Sequence, residues 1–201
     1  MESARISCGD KTMAQDDQIS GQGKSAAAAA PALDRKALES QLVNAGSPEQ
    51  CRAELSKIFR VRPDEVALLR LENGLLRFLF PSELATAGSI PISSSTAVAA
   101  HTAVTKKVEL FNNFTRIKHA SIFESVKPSG ASGEELRPAT IQKLMSAPVL
   151  DKADDVLGVV QICHKGFDLT SAGPDFTLDD LQKLELAAKA LAQVGFMRES
   201  R

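Results

Sequence analysis

Three residues of chemical interest end an apolar run near the C-terminus. The run VVQICHKG (Val159–Gly166) is typical of a buried strand and closes with Cys163, His164 and Lys165. A thiol, an imidazole and an amine serve in catalysis, metal binding and ligand recognition alike. Because side chains alternate along a strand, we expect His164 to share a face with Ile162, and Cys163 to lie on the other face. The surrounding elements must therefore decide among a catalytic, a binding and a structural role.

The cysteine content disfavours disulfide and metal chemistry. The chain has three cysteines, Cys8, Cys51 and Cys163, with no CxxC spacing. An odd set without that spacing is unlike a disulfide framework or a structural zinc site, so we predict no metal site. We interpret Cys51 as a small buried residue of a helix and Cys163 as a packing residue of a strand. No motif identifies a cofactor.

The charge balance and the apolar runs exclude several classes of partner. Lys and Arg number 24 against 25 Asp and Glu, which leaves no basic excess for a nucleic-acid backbone. The longest apolar runs fall far short of the ~20 residues of a membrane span. The N-terminus lacks the apolar core of a signal peptide. We therefore predict a cytoplasmic protein that binds neither nucleic acid nor membrane.

The first 32 residues differ in composition from the rest of the chain. Gly, Ser, Gln, Asp and a run of Ala dominate them, and large apolar residues are scarce. Such a segment cannot bury enough surface to fold alone, so we predict a disordered tail over residues 1–32 and a single domain over 33–198. The GQGKS at 21–25 is not a phosphate loop, because Gln18 stands where the first Gly of that motif is required.

The first half of the domain contains two predicted helices and a hairpin. PALDRKALESQLVNAG (31–46) has helical apolar spacing, and the following helix begins with Ser47 as N-cap and Pro48 at its first position. The segment EVALLRLENGLLRFLFP has two β-type runs around Asn73-Gly74. This pair favours a type I′ turn because both residues tolerate positive φ.

The second half alternates helices with a further pair of strands. SSSTAVAAHTAVTKKVE predicts a serine-capped helix, with His101 in a structural position beside its apolar stripe. ATIQKLMSAPVLD and DVLGVVQICHKG predict adjacent antiparallel strands. The last helix follows Thr177, which forms a capping box with Asp180. Strands that come in pairs predict an antiparallel sheet covered by helices, which is an α+β fold.

The segment from residue 143 onward resembles the C-terminal half of a GAF domain. Its KLMSAPVLD is similar to a family strand that ends in a Pro-containing pair, here Pro148-Val149. Its LGVVQICHKG, FTLDD and closing helix are similar to the family's "iGvlqlvNK" strand, "Ft.eD" segment and long helix. The stretch STAVAAHTAVTKKVELFNN also resembles the family's small-residue helix and short strand. The resemblance covers roughly residues 35–197 and implies a GAF/PAS-like antiparallel sheet of five to six strands with helices packed on it.

The same resemblance implies a ligand cavity on the sheet face opposite the terminal helices. It makes the irregular, Phe-rich segment 110–126 the cavity roof. His164 stands where the family often has Asn, and phytochrome-like members have a cavity His nearby. We therefore expect His164 to border the cavity; the alternative is a strand-ending His that faces water. The predicted ligand-binding residues are His164, Ile162, Asn113, Phe114, His119 and Phe123.

Two ligand classes of the family fit this sequence poorly. The cyclic-nucleotide signature is kept at Lys165, Phe176 and Asp180, but His164 replaces its Asn and Leu181 its Glu. In the family this Lys and Asp bridge structurally, so their presence indicates the fold more than the ligand. Covalent bilin attachment needs a cavity cysteine, and the sequence has none between residues 51 and 163.

The resemblance implies a regulatory function. We predict a sensory domain that binds an unidentified small ligand and signals through its terminal helices, to a partner protein or to a second copy in a homodimer. The alternative is a ligand-free interaction module in which Phe111, Phe114 and Phe123 fill the cavity. An enzyme like the free methionine sulfoxide reductases needs two cysteines near the pocket, which the three cysteines here do not match, so we predict no catalysis.

Overall fold

A computed structural model of the chain describes residues 35–86, 88–116 and 139–198. The predicted tail, residues 1–32, lies outside the described residues. Single 3₁₀ turns occupy Pro63–Glu65, Phe114–Arg116 and Gly195–Met197. The helices and strands, in chain order, are α1 (Arg35–Val43), α2 (Pro48–Phe59), β1 (Val66–Glu72), β2 (Leu75–Phe80), α3 (Ser82–Ala85), β3 (Ser89–Pro91), α4 (Val98–Thr105), β4 (Glu109–Phe111), β5 (Thr140–Leu150), β6 (Val156–Gly166) and α5 (Leu178–Leu191).

The strands form one antiparallel sheet of six strands in the order β3-β2-β1-β6-β5-β4. This confirms the predicted α+β fold with a GAF-like antiparallel sheet. β1 and β2 form the predicted hairpin, whose turn places Asn73 at φ 51° and Gly74 at φ 77°. β5 and β6 pair along almost their whole lengths and are the longest strands, with 11 residues each.

Local capping signals explain where two of the helices begin. The Ser47 hydroxyl accepts a hydrogen bond from Gln50 N, so α2 begins as predicted. Thr177 and Asp180 form the predicted reciprocal capping box at α5. The predicted serine cap of α4 is wrong. That helix begins at Val98 after an Ala N-cap, without a capping side chain.

The sheet separates two apolar cores. On one side, which we call the helix face, the terminal helices α1, α2 and α5 cover the sheet. Its members include Leu42, Leu55, Met145, Ile162, Phe176, Leu184 and Leu191. On the other side, the α4 face, short helices and turns cover the sheet. Its members include Leu69, Phe78, Ala100, Ala103, Phe114, Leu144 and Cys163. Consecutive residues along β5, and likewise along β6, therefore belong to different cores.

Among the residues that the structure describes, no helix is long and apolar enough to cross a membrane.

Candidate functional site

His164 lies on the helix face and takes part in a ring stack. Its imidazole lies 4.3 Å from the Phe176 ring, centroid to centroid, with an interplanar angle of 8°. The side chain is half-buried, and burial lowers its pKa below the ordinary 6.5. Nearby Lys143 and Arg62 lower this pKa further, while the Glu65 carboxylate raises it. A neutral imidazole is therefore favoured in the folded protein.

The neighbours of His164 hold the connection between β6 and α5 in place. Lys143, opposite His164 in the register, donates from Nζ to Gly173 O at 2.5 Å and pairs with Asp175 Oδ1 at 2.8 Å. The Asn112 side chain binds both backbone polar groups of Phe176. Its Nδ2 donates to Phe176 O at 3.0 Å, and its Oδ1 accepts from Phe176 N at 2.9 Å. His164 is thus part of a polar cluster that positions the start of α5.

The predicted ligand-binding residues that the structure describes lie on two different faces of the sheet. Ile162 is buried on the helix face with His164, whereas Phe114 is 2% exposed in the core of the α4 face. Asn113 lies beside Phe114, and its side-chain oxygen accepts from the Thr115 hydroxyl. His119 and Phe123 lie outside the described residues. Strand alternation puts His164 on the side of the sheet that the terminal helices cover, and the expectation that it borders a ligand cavity stays a prediction.

The described contacts also differ from the Lys–Asp bridge that the resemblance implied. The Lys165 amine donates to Asp64 O at 2.7 Å and lies 3.4 Å from Asp64 Oδ2. The Asp180 carboxylate accepts from Thr177 at the start of α5 and pairs with Lys183 at 3.0 Å. Lys165 therefore anchors the turn before β1, and Asp180 acts as a capping residue.

A chain of polar side chains that was not predicted from the sequence crosses the α4 face. Gln161 donates from Nε2 to Ser146 Oγ at 3.3 Å, and Ser146 Oγ lies 2.8 Å from the Thr102 hydroxyl. Thr102 Oγ1 lies 2.7 Å from Glu109 Oε2, and His101 Nδ1 lies 2.9 Å from Glu109 Oε1. Ser146 interrupts the apolar run KLMSAPV, and Gln161 interrupts VVQIC. A polar residue within an apolar strand was the feature of the sequence that could have predicted this buried polar chain.

The polar chain is directed from the core towards a carboxylate near the surface. Thr102 has one hydroxyl proton and lies within hydrogen-bond distance of both Glu109 and Ser146. When that proton goes to a Glu109 carboxylate oxygen, Ser146 is the donor to Thr102. Thr102 and Ser146 are fully buried, the Glu109 side chain is 17% exposed, and that of His101 is 56% exposed. Aligned hydrogen bonds of this kind reinforce one another in a medium of low dielectric constant.

The two described cysteines are poor nucleophiles. Burial raises the pKa of the Cys51 thiol to about 12, and nearby Glu54 adds to the effect. Burial also raises the pKa of Cys163 well above its ordinary value. Both thiols are fully buried and reduced. At neutral pH each therefore stays a protonated, inert packing group.

Three open grooves stand out on the described surface. The largest, of about 640 Å³, lies between the end of α4, the β5–β6 turn and α5, with Lys106, Glu185 and Lys189 along it. The other two, of about 410 and 580 Å³, lie beside the β5–β6 turn. None of these three is lined by His164, Ile162, Asn113 or Phe114.

The six-stranded antiparallel sheet, with terminal helices on one face and a short helix on the other, defines an α+β domain. A family model, "GAF domain", matches residues 49–194. The chain therefore belongs to the GAF domain family, whose members are mostly sensory and regulatory ligand-binding domains.

Solved structures support the same fold. The chain is similar to the GAF domain of an Acinetobacter phosphoenolpyruvate-protein phosphotransferase, with a TM-score of 0.53, 11% identity and coverage of 79% of this chain and 87% of that one. A putative GAF sensor protein from Burkholderia vietnamiensis matches with a TM-score of 0.50, 13% identity and coverage of 81% and 88%. The fRMsr of Staphylococcus aureus in complex with substrate also has a TM-score of 0.50, with 15% identity and coverage of 80% and 94%. No curated protein matches the chain.

Proposed function

We propose that the chain is a cytoplasmic regulatory domain that binds a small polar ligand at the α4 face. Ligand binding shifts the strands of the sheet, and this shift is transmitted to the terminal helices. The observation that carries this proposal is the polar chain from Gln161 to Glu109. Buried polar groups are costly in an apolar core unless they are paired, and here they lead to a carboxylate at the edge of the sheet. A ligand with hydrogen-bond donors fits the acceptor that Glu109 provides.

The alternation of side chains in β5 and β6 gives a route from the ligand to the output helices. Ser146 and Gln161 face α4, while the adjacent Met145 and Ile162 belong to the core under α5. A shift of either strand at the polar chain therefore moves residues that contact α5. Signalling requires only that the ligand has different affinities for the two arrangements. The receiver is a partner protein or a second copy of the chain.

Native mass spectrometry of the freshly purified protein, compared with its denatured mass, tests the binding step. We expect extra mass that is lost on denaturation, and a rise in Tm with donor-rich small molecules such as amides, amines and nucleobases. Thr102→Val and Ser146→Ala should each reduce the retained mass. His164→Ala, on the opposite face, is the matched control and should retain it. Bare mass together with no Tm shift from the panel would contradict the proposal.

A ligand-free interaction module is the second candidate, and the packing of the α4 face favours it. Phe114 and Leu144 are buried there, and the Phe111 ring packs edge-on against Phe114 at 6.2 Å. This version predicts that Thr102→Val changes stability but no bound mass. The native spectrum also reports monomer or dimer, which distinguishes self-association from action on another protein.

We propose no catalytic function, although the S. aureus fRMsr has a similar fold. An enzyme that reduces a sulfoxide with a cysteine needs a thiolate or an easily ionised thiol. Cys51 and Cys163 have raised pKa values and are fully buried. Their surroundings therefore support a structural role for both.

A further inference from the structure

Exposed apolar side chains concentrate at the connection between β6 and α5. Among the described residues, five large apolar side chains are exposed: Val43, Val104, Phe167, Leu169 and Leu178. The last three lie within 12 consecutive residues. Phe167 is 64% exposed and Leu178 74%. Single exposed apolar residues are ordinary, but a local group of them is typical of an interaction site.

These side chains are presented by a fixed backbone. The Asp168 carboxylate accepts from Ser171 N at 2.7 Å and closes a turn that packs on Gly166, where an added Cβ would meet the backbone of Ala172 at 2.6 Å. The end of the connection is held by Lys143 and Asn112, as described above. A surface of fixed shape loses little conformational entropy when a partner binds.

The charged residues of this stretch of chain are all acidic. Asp168, Asp175 and Asp179 are exposed in this stretch, and no Lys or Arg occurs from residue 166 to 182. Hydrogen bonds from Ser171 lower the pKa of Asp168, so this carboxylate stays ionised at neutral pH. Lys143 offsets the charge of Asp175, which leaves Asp168 and Asp179 as the surplus.

We propose that Phe167, Leu169 and Leu178 form a docking surface for a segment of another protein that carries apolar side chains together with Lys or Arg. Burial of the three apolar groups supplies the affinity, and the acidic rim selects a basic partner. A symmetric contact between two copies would place the acidic side chains of both copies in one interface and is disfavoured by like-charge repulsion.

A random 15-residue peptide library displayed on phage, selected on the immobilised full chain, tests this surface. Peptides enriched on the wild type should carry Lys or Arg next to Leu, Ile, Phe or Met. Synthetic versions should bind in fluorescence anisotropy, and Phe167→Ser and Leu178→Ser should each weaken binding about tenfold, the loss typical of a buried anchor residue. Asp179→Asn should weaken binding mainly at low salt.

Val104→Ser is the matched control, because it removes an apolar side chain of similar exposure (62%) from α4. It should leave peptide binding unchanged, and circular dichroism should show all variants to be folded. The proposal is overturned if enrichment fails, if the enriched peptides are acidic, or if Val104→Ser weakens binding as much as Phe167→Ser. A dimer that Phe167→Ser converts to monomer would also overturn it, because the occupant would then be a second copy.

Discussion

Gly158 of β6 lies directly against the backbone of β1. A Cβ atom at this position would come within 2.0 Å of Leu69 O and 2.8 Å of Met197 Cε. The Met side chain can move, but the backbone oxygen belongs to the paired strand and cannot move without a change in the sheet. No larger residue therefore fits while β1 and β6 stay in register.

We predict that Gly158→Ala lowers the free energy of unfolding by about 3 kcal/mol, at the upper end of the range for overpacking. Urea denaturation followed by circular dichroism measures it. Gly46→Ala is the control, because its Cβ would meet only the flexible Gln50 side chain at 3.4 Å, and it should change stability by less than ~0.5 kcal/mol. Equal effects at the two sites would refute this explanation.

His164 makes the stability of the fold depend on pH. Because burial lowers its pKa in the folded state, the unfolded chain binds the proton more readily. Its contribution to stability is therefore complete above the unfolded value of 6.5 and is lost as the pH falls through the lowered pKa. We predict that His164→Gln flattens the fall in unfolding free energy between pH 8 and pH 5. An unchanged slope would show that other groups cause it.

At the scale of elements, local signals were predictable from the sequence, but the face of β6 that the terminal helices cover was not. The hairpin at Asn73-Gly74 and the cap at Ser47 depend on residues a few positions apart, so both can be predicted from local sequence. The alternation of β6 correctly grouped His164 with Ile162, but periodicity does not say which helices cover that face. The polar chain joins Thr102 to Ser146, 44 positions apart, and only the folded sheet brings them together.

The start of α5 gives a prediction at this scale. Thr177 caps the helix and shares a reciprocal pair of hydrogen bonds with Asp180. We predict that Thr177→Ala lowers the free energy of unfolding by about 1 kcal/mol, which urea denaturation can detect. Ser94→Ala is the matched control, because the Ser94 hydroxyl lies near α4 but does not cap it. Its hydrogen bond to the Thr96 hydroxyl is long, at 3.4 Å. A loss at Ser94 as large as that at Thr177 would mean that the effect is not due to capping.

At the scale of the described domain, β5 and β6 are the central strands that the two cores share. β6 pairs with β1 on one side and β5 on the other, and its residues 157–163 are buried on both faces. Both cores depend on these two strands, so loss of the β5–β6 pairing would open both cores at once. The domain should therefore unfold as a single cooperative unit.

Hydrogen exchange followed by mass spectrometry measures this cooperativity. We predict that peptides from β6 and β5 exchange most slowly, at a rate set by global unfolding, and that the three-residue edge strands β3 and β4 exchange fastest. Protection of the α4 region should be lower than that of α5, which packs more extensively on β5. If β5 exchanged as fast as β3, β5 would open without global unfolding, and the proposed route from Glu109 to α5 would lose its basis.

Because β5 and β6 contribute to both cores, insertions and deletions within these strands are also restricted. Addition or loss of one residue within either strand would turn every following side chain to the opposite face and exchange apolar and polar positions in both cores. Substitutions can accumulate one at a time, but gains and losses of residues are tolerated only in connections such as the turn at 151–155. Divergence of this domain should thus alter the lengths of its turns while β5 and β6 keep theirs.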